Sequence, residues 1–381
     1  MADTDDSVYT RLGVRPIINA AGNQTVFGGS SPSDTVRQAM ETANRRWAVM
    51  EKLMEGSGDY IAGVLGVESA YVTSGCAAAM VLSAAACIAG SDPDKIARLP
   101  NTTGMSAEIV VQKGQRWRYD RNLSVPGATL VEAGDDDGCT REQLAGAIGP
   151  STAAVGIKAL PETEDTFLSV ADVVAIAHEH GVPVIVDAAS QIYPLDYFRR
   201  TAQSADLVCF AAKYMGASHS TGFVCGRHDL IEAVAAQGFI GFETGGAQSM
   251  GRGFKVDRQN VIGAVAALEA WFTMNHEDRL LGYDARLSDM QRRLQGLSHL
   301  QETRLVPSTA FSGSGLHLLL DTEALGKTAH QLANELLNTG TPGIRVGAVA
   351  DDTIRIGAHT LQEGDDEIIV ARLRELLTPE P

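Results

Sequence analysis

The five cysteines of this 381-residue sequence, Cys76, Cys87, Cys139, Cys209 and Cys225, show no C-x-x-C or C-x-x-H spacing. That argues against a zinc site and leaves no disulfide framework to read, so buried, reduced thiols are expected. A basic surplus is missing too. Lys and Arg number 31 against 47 Asp and Glu, a net charge of −16, which keeps the chain soluble and excludes a general nucleic-acid or anionic-membrane surface. Long apolar runs are absent: the longest, AAAMVLSAAACIAG, is too short and too alanine-rich to span a bilayer. The opening MADTDDSVYT is polar and acidic, unlike a signal peptide. No internal repeat or low-complexity tract stands out. These absences lead to the expectation of a soluble, cytoplasmic protein without a membrane or nucleic-acid partner.

What is present is apolar and alternating. Hydrophobic residues make up 44% of the chain, enough for a large core and two domains. Between about residues 58 and 230, strand-like runs (ESAYVTSG, AEIVVQK, GATLVEAG, AAVGIKAL, VPVIVDAAS, ADLVCFAAK, STGFVCGR) are spaced by helix-like ones. That order predicts an α/β fold with a mostly parallel sheet covered by helices on both faces. The expected division is an N-terminal arm and helix over 1–57, a large domain over 58–260, a linking helical segment over 261–297, and a small α+β domain over 298–381.

Ligands of open parallel sheets collect beyond the carboxyl ends of the strands, and three polar features fall at such ends. In VTSGCAAAM, a strand passes through Ser74, Gly75 and Cys76 into a helix. Free backbone N–H groups there suit a phosphate, and they equally suit an ordinary N-capped core helix. In VPVIVDAAS, which also carries Ser190, Asp187 closes an apolar strand. A carboxylate so placed needs a partner; the ring nitrogen of a protonated pyridine is one, and the following turn is another. Lys213 closes the next run, ADLVCFAAK. Desolvation or a neighbouring cation would leave it a free amine able to form a Schiff base, although structural ion pairs also use lysines. A phosphate cradle, a pyridinium partner and an imine-forming lysine are together what pyridoxal 5′-phosphate (PLP) requires.

In these motifs, and in RPIINAAGNQTVFGGS, VVQKGQRWRYDRNL, GRGFKVDRQNVIGAVAALEAW and RIGAHTLQEGDDEIIVARL, the chain resembles the selenocysteine synthase (SelA)-like branch of fold-type I PLP enzymes. That branch includes D-glucosaminate-6-phosphate ammonia-lyase-type proteins. The resemblance covers nearly the whole chain and implies an aspartate aminotransferase-like fold in a homodimer or higher homo-oligomer with shared active sites. It also implies Lys213 as the Schiff-base lysine, Asp187 as pyridinium partner, and Ser74 with Gly75 in the phosphate cradle. Arg252 and Lys255 would approach from a neighbouring subunit, and Arg355 would meet an anionic substrate group; each also suits plain surface charge. The sequence departs from its relatives at Ala211 and Ala212, where they read Ser-Gly-Gly-Lys, and at Ser218 and His219, where they read Pro-Gln. His219 could therefore carry protons or only brace a turn. Gln115 and Arg116 replace a His-Arg pair, so Gln115 or Trp117 would cover the cofactor.

The implied activity is a lyase performing α,β-elimination on a small anionic hydroxy-amino acid or amino sugar acid. β-Replacement, racemisation, aldol cleavage and a non-catalytic binding role stay open.

Overall fold

The computed structural model describes residues 8–161, 165–307 and 314–378. Two compact units emerge, residues 30–273 and residues 1–29 with 274–381. A first short strand, β1 (Ile17–Asn19), belongs to the second of them.

The larger unit is built on β2 (Ser69–Thr73), β3 (Glu108–Gln112), β4 (Thr129–Ala133), β5 (Thr152–Lys158), β6 (Val184–Asp187), β7 (Leu207–Ala211) and β8 (Gly222–Gly226). They form one sheet in the order β2-β8-β7-β6-β5-β3-β4. Every neighbouring pair is parallel except the two made by β8, which runs antiparallel to both β2 and β7. Two reversals restore direction, so β2 points the same way as β6 and β7. The carboxyl ends of these three strands therefore share one edge. All residues of β6, β7 and β8 are buried, which explains their uninterrupted apolar sequence: both faces of the strands are covered. Phe198, Phe210 and Phe223 are fully buried and stack in sequence at centroid distances of 4.9 and 5.2 Å. Such pairs contribute about 0.5–1.5 kcal/mol each beyond their buried area and stiffen the floor under the end of β7.

The helix Cys76–Ala89 packs against β5 to β8. It is apolar nearly all round because sheet and helices enclose it, and its alanines let the backbones approach closely. The helix Met50–Leu65 rides on β2 in the same way: a Cβ on Gly58 would lie 2.2 Å from the Ala70 carbonyl oxygen. The helix Asp34–Asn44 packs on Arg258–Thr273, where Gly263 faces Met40. Residues 30–57 lie in the larger unit, where close glycine contacts tie their helices to its core. The helical pattern expected over 261–297 is two helices, Arg258–Thr273 and His276–Leu294. Asn275 ends the continuity by accepting the amides of Glu277 and Asp278, and the unit boundary falls at that break.

The smaller unit combines a sheet with helices. Strands β9 (Leu300–Val306), β10 (Gly315–Leu320), β12 (Gly347–Ala348) and β13 (Thr353–Gly357) form an antiparallel sheet ordered β12-β13-β10-β9. Strand β11 (Gly343–Arg345) pairs in parallel with β1, drawing the chain's beginning into this unit. Leu316, Leu318, Ile354 and Ile356 pack with Ile369 and Leu373 of the closing helix Asp365–Leu377. No described helix is long and apolar enough to cross a membrane.

Candidate active site

Asp187 ends β6 and is 7% exposed. A carboxylate so buried is costly unless bonded, and three donors meet it. The Ala189 amide and the Cys76 thiol donate to Oδ1 at 3.1 and 3.4 Å, and the Trp117 indole N–H donates to Oδ2 at 2.8 Å. Burial, followed by the Asp187 charge, pushes the Cys76 thiol far up, so it stays protonated and remains a donor.

Cys76 also opens the helix Cys76–Ala89, with Gly75 as N-cap at φ +108°. A Cβ built on Gly75 meets nothing within 4 Å, so the space before the helix's first turn is open. The Thr73 hydroxyl donates to the Gly75 carbonyl at 3.0 Å and braces this turn, with Ser74 half-buried between them. The first amides of a helix have no partner within it and favour an anion. Gly222 at the start of β8 makes the approach possible, since a Cβ there would lie 2.5 Å from the Phe210 carbonyl oxygen and 2.8 Å from the Cys76 nitrogen.

Lys213 lies just past β7, in the 3₁₀ turn Ala212–Met215, rather than on the strand's last residue. The Ala212 amide donates to the Thr221 carbonyl at 3.0 Å, and Gly216 closes the turn in a left-handed conformation. From outside, the Ser30 hydroxyl donates to the Ala217 carbonyl at 2.6 Å and the Ser33 amide to the Gly216 carbonyl at 3.3 Å. Desolvation pulls the Lys213 ammonium below its usual pKa, with the Cys76 thiol opposing it weakly. Asp187 and Lys213 both act electrostatically on Cys76, which gathers the three at one edge of the sheet. His219 follows on the same loop, half-buried, with Nδ1 buried and without a hydrogen-bond partner among the described residues. Burial first, and Lys213 second, lower its pKa.

The remaining candidates are placed less centrally. Gln115 accepts the Gln112 side-chain amide at 3.0 Å, and Ser190 is half-buried in the turn after β6. Arg252 forms an ion pair with Glu243, and Lys255 is exposed. Arg355 belongs to the smaller unit, on β13 opposite His317 of β10, with its guanidinium over Gly315. Burial lowers its pKa, and burial together with Arg355 and Arg279 holds His359 at about 4. One residue escaped sequence reasoning: Asp120, 4% exposed, which pairs with Arg116 and accepts the Trp117 amide at 3.3 Å. The Arg-x-x-x-Asp spacing was its only signal.

PLP carries an aldehyde, a pyridine nitrogen and a phosphate, and this donor set answers each. Lys213 has an amine shifted toward its neutral form, Asp187 already accepts an aromatic ring N–H, and the open turn at Gly75 fits an anion.

Residues 34–309 match the aminotransferase class-V family. The chain belongs to that family. As a member of the class-V aminotransferase family it is an α/β, fold-type I, PLP-dependent enzyme. It is 32% identical over 380 residues to a 5′-C-glycyluridine monooxygenase-decarboxylase of a Streptomyces species, covering 97% of this chain and 92% of the relative. To the D-glucosaminate-6-phosphate ammonia lyase of Salmonella typhimurium it is 28% identical, over 97% and 98% of the two chains. A solved structure of a D-glucosaminate-6-phosphate ammonia-lyase matches with a TM-score of 0.86 at 27% identity, over 98% of each chain. An L-seryl-tRNA(Sec) selenium transferase of Moorella thermoacetica is 24% identical, over 96% of this chain and 83% of the relative.

Proposed function

We propose that this enzyme is a lyase that removes a β-leaving group and ammonia from a small anionic hydroxy-amino acid or amino sugar acid. The full-length likeness to a solved ammonia-lyase carries this reading, supported by a lysine amine that burial shifts toward its neutral form.

When bound, PLP draws electrons from the bonds at the substrate Cα and makes the Cα–H acidic. Asp187 would hold the protonated ring nitrogen, and the first turn of Cys76–Ala89, with Ser74 and Gly75, would take the phosphate. Gln115 and Ser190 would line the cofactor. Lys213 Nζ is the base that takes the Cα proton. His219 passes a proton between that amine and the departing hydroxyl oxygen, a role its lowered pKa suits because the ring enters the cycle neutral. Arg355 binds the anionic group of the substrate through its planar fork. Arg252 and Lys255 serve the neighbouring active site in a homodimer or larger homo-oligomer. Free cysteines, four of the five buried, support a reducing, cytoplasmic setting. The net charge of −16 argues against a tRNA substrate.

The 32% identity to a monooxygenase-decarboxylase supports a second reading, oxygen-dependent decarboxylation of an amino acid. One set of measurements separates the two. Reconstitution with PLP is expected to give an absorbance band near roughly 410–430 nm that Lys213→Ala abolishes. A panel of amino acids and amino sugar acids is then screened for keto acid plus ammonia. Carbon dioxide release coupled to oxygen uptake, without ammonia, would move the assignment to the second reading. Racemisation or aldehyde release alone would overturn elimination, and a chain that never develops the band would not be an active PLP enzyme.

A further inference from the structure

The Asp187 carboxylate is held on both oxygens, and its shortest bond, at 2.8 Å, comes from Trp117, 70 positions away. With the Ala189 amide and Cys76 thiol on Oδ1 and the indole on Oδ2, the carboxylate cannot turn about its single bond without losing a donor. The indole is anchored in its turn. Trp117 donates its backbone N–H to Asp120 Oδ2 at 3.3 Å, the Asp120 amide donates to the Trp117 carbonyl at 3.0 Å, and Arg116 pairs with the same carboxylate. The short turn 116–120 thus closes on Asp120 and presents the indole to Asp187. The other two tryptophans have no such role: Trp47 is 88% exposed, and Trp271 donates to the Ile192 carbonyl at 2.8 Å.

We propose that Trp117 is a positioning residue which, acting through Asp187, fixes the orientation of the carboxylate that meets the cofactor's ring nitrogen. This rests on the reading that the site takes PLP. A preorganised charge is worth more to a bound cation than one that must reorient.

Equilibrium PLP binding, followed by absorbance, tests this in the parent protein, Trp117→Phe, Asp187→Ala and the double variant. Trp117→His keeps a ring N–H. Trp117→Phe is expected to weaken binding about tenfold, the loss of one charge-assisted hydrogen bond, and Trp117→His to recover most of it. In the Asp187→Ala background, Trp117→Phe is expected to change nothing. The same loss in both backgrounds would show Trp117 acting by covering the ring, and would overturn the proposal. A second arm reads the bond itself in protein labelled with ¹⁵N-tryptophan and supplied with PLP, and it holds even if Trp117→Phe fails to fold. Of the three indole signals, Asp187→Ala is expected to move that of Trp117 and leave those of Trp47 and Trp271 in place. A Trp117 signal that stays put overturns the proposal. A parent protein that does not bind PLP sinks the functional reading and this inference together, whereas a binding parent with an additive cycle sinks the inference alone.

Discussion

Lys213 is an unusual residue to follow five buried strand positions, and its setting gives it a specific chemistry. Desolvation opposes the ammonium form, so the group proposed as the base starts closer to neutrality. His219 feels the same burial and the nearby Lys213, which lower its own pKa. The Lys213 charge makes the His219 proton easier to lose. Replacing His219 with Gln is therefore expected to lower turnover on the order of 10²-fold, the usual cost of losing a general acid–base partner, while the cofactor band is kept. Loss of the band together with turnover would instead assign His219 to holding the loop. Both positions were readable in sequence, since a lysine and a histidine in one short loop after an apolar run need an explanation. The bond from Trp117 to Asp187 was not, because no local pattern relates residues 70 apart.

The elements carry this site by coming unusually close to each other. Strand β8 begins where the helix Cys76–Ala89 begins, and the missing side chain of Gly222 allows that contact. Gly222→Ala would push a methyl group to within 3 Å of two backbone segments, so the first turn of the helix must shift. The expected outcome is weaker binding of PLP and of inorganic phosphate, measured by titration, with a loss of stability of about 1–3 kcal/mol in denaturant unfolding. Unchanged phosphate binding would show that this turn is not the anion cradle. The strands themselves were legible, because apolar runs of five to seven residues bounded by small and polar ones are strong signals. The break at Asn275 was masked by periodicity continuing on both sides, and a side-chain cap decided it.

The whole molecule divides into a larger unit with the lysine and carboxylate and a smaller one with Arg355. In the smaller unit Gly22 brings the backbone against the His359 ring, where a Cβ would lie 3.1 Å from it. His359 is held at about 4 instead of 6.5, so the unfolded chain takes up that proton first. Its contribution to stability is therefore lost as pH falls below about 6.5, and the loss levels off under about 4. His317, lowered by burial and then by Arg355 and Arg304, acts in the same direction. Melting temperatures measured from pH 7 to pH 4 are expected to fall less steeply in His359→Gln than in the parent; parallel curves would refute this.

The sequence by itself determined the class of the fold and the chemistry of its cofactor. Strand and helix periodicity, charge balance, and the placement of Asp187 and Lys213 after apolar runs are local properties, and local physics sets them. The tertiary structure decided what the Asp187 carboxylate touches, which strand reverses, and where one unit ends. Those outcomes depend on strand order, on glycines that admit a neighbouring backbone, and on donors arriving from 70 and 111 residues away, and no stretch of sequence contains both partners.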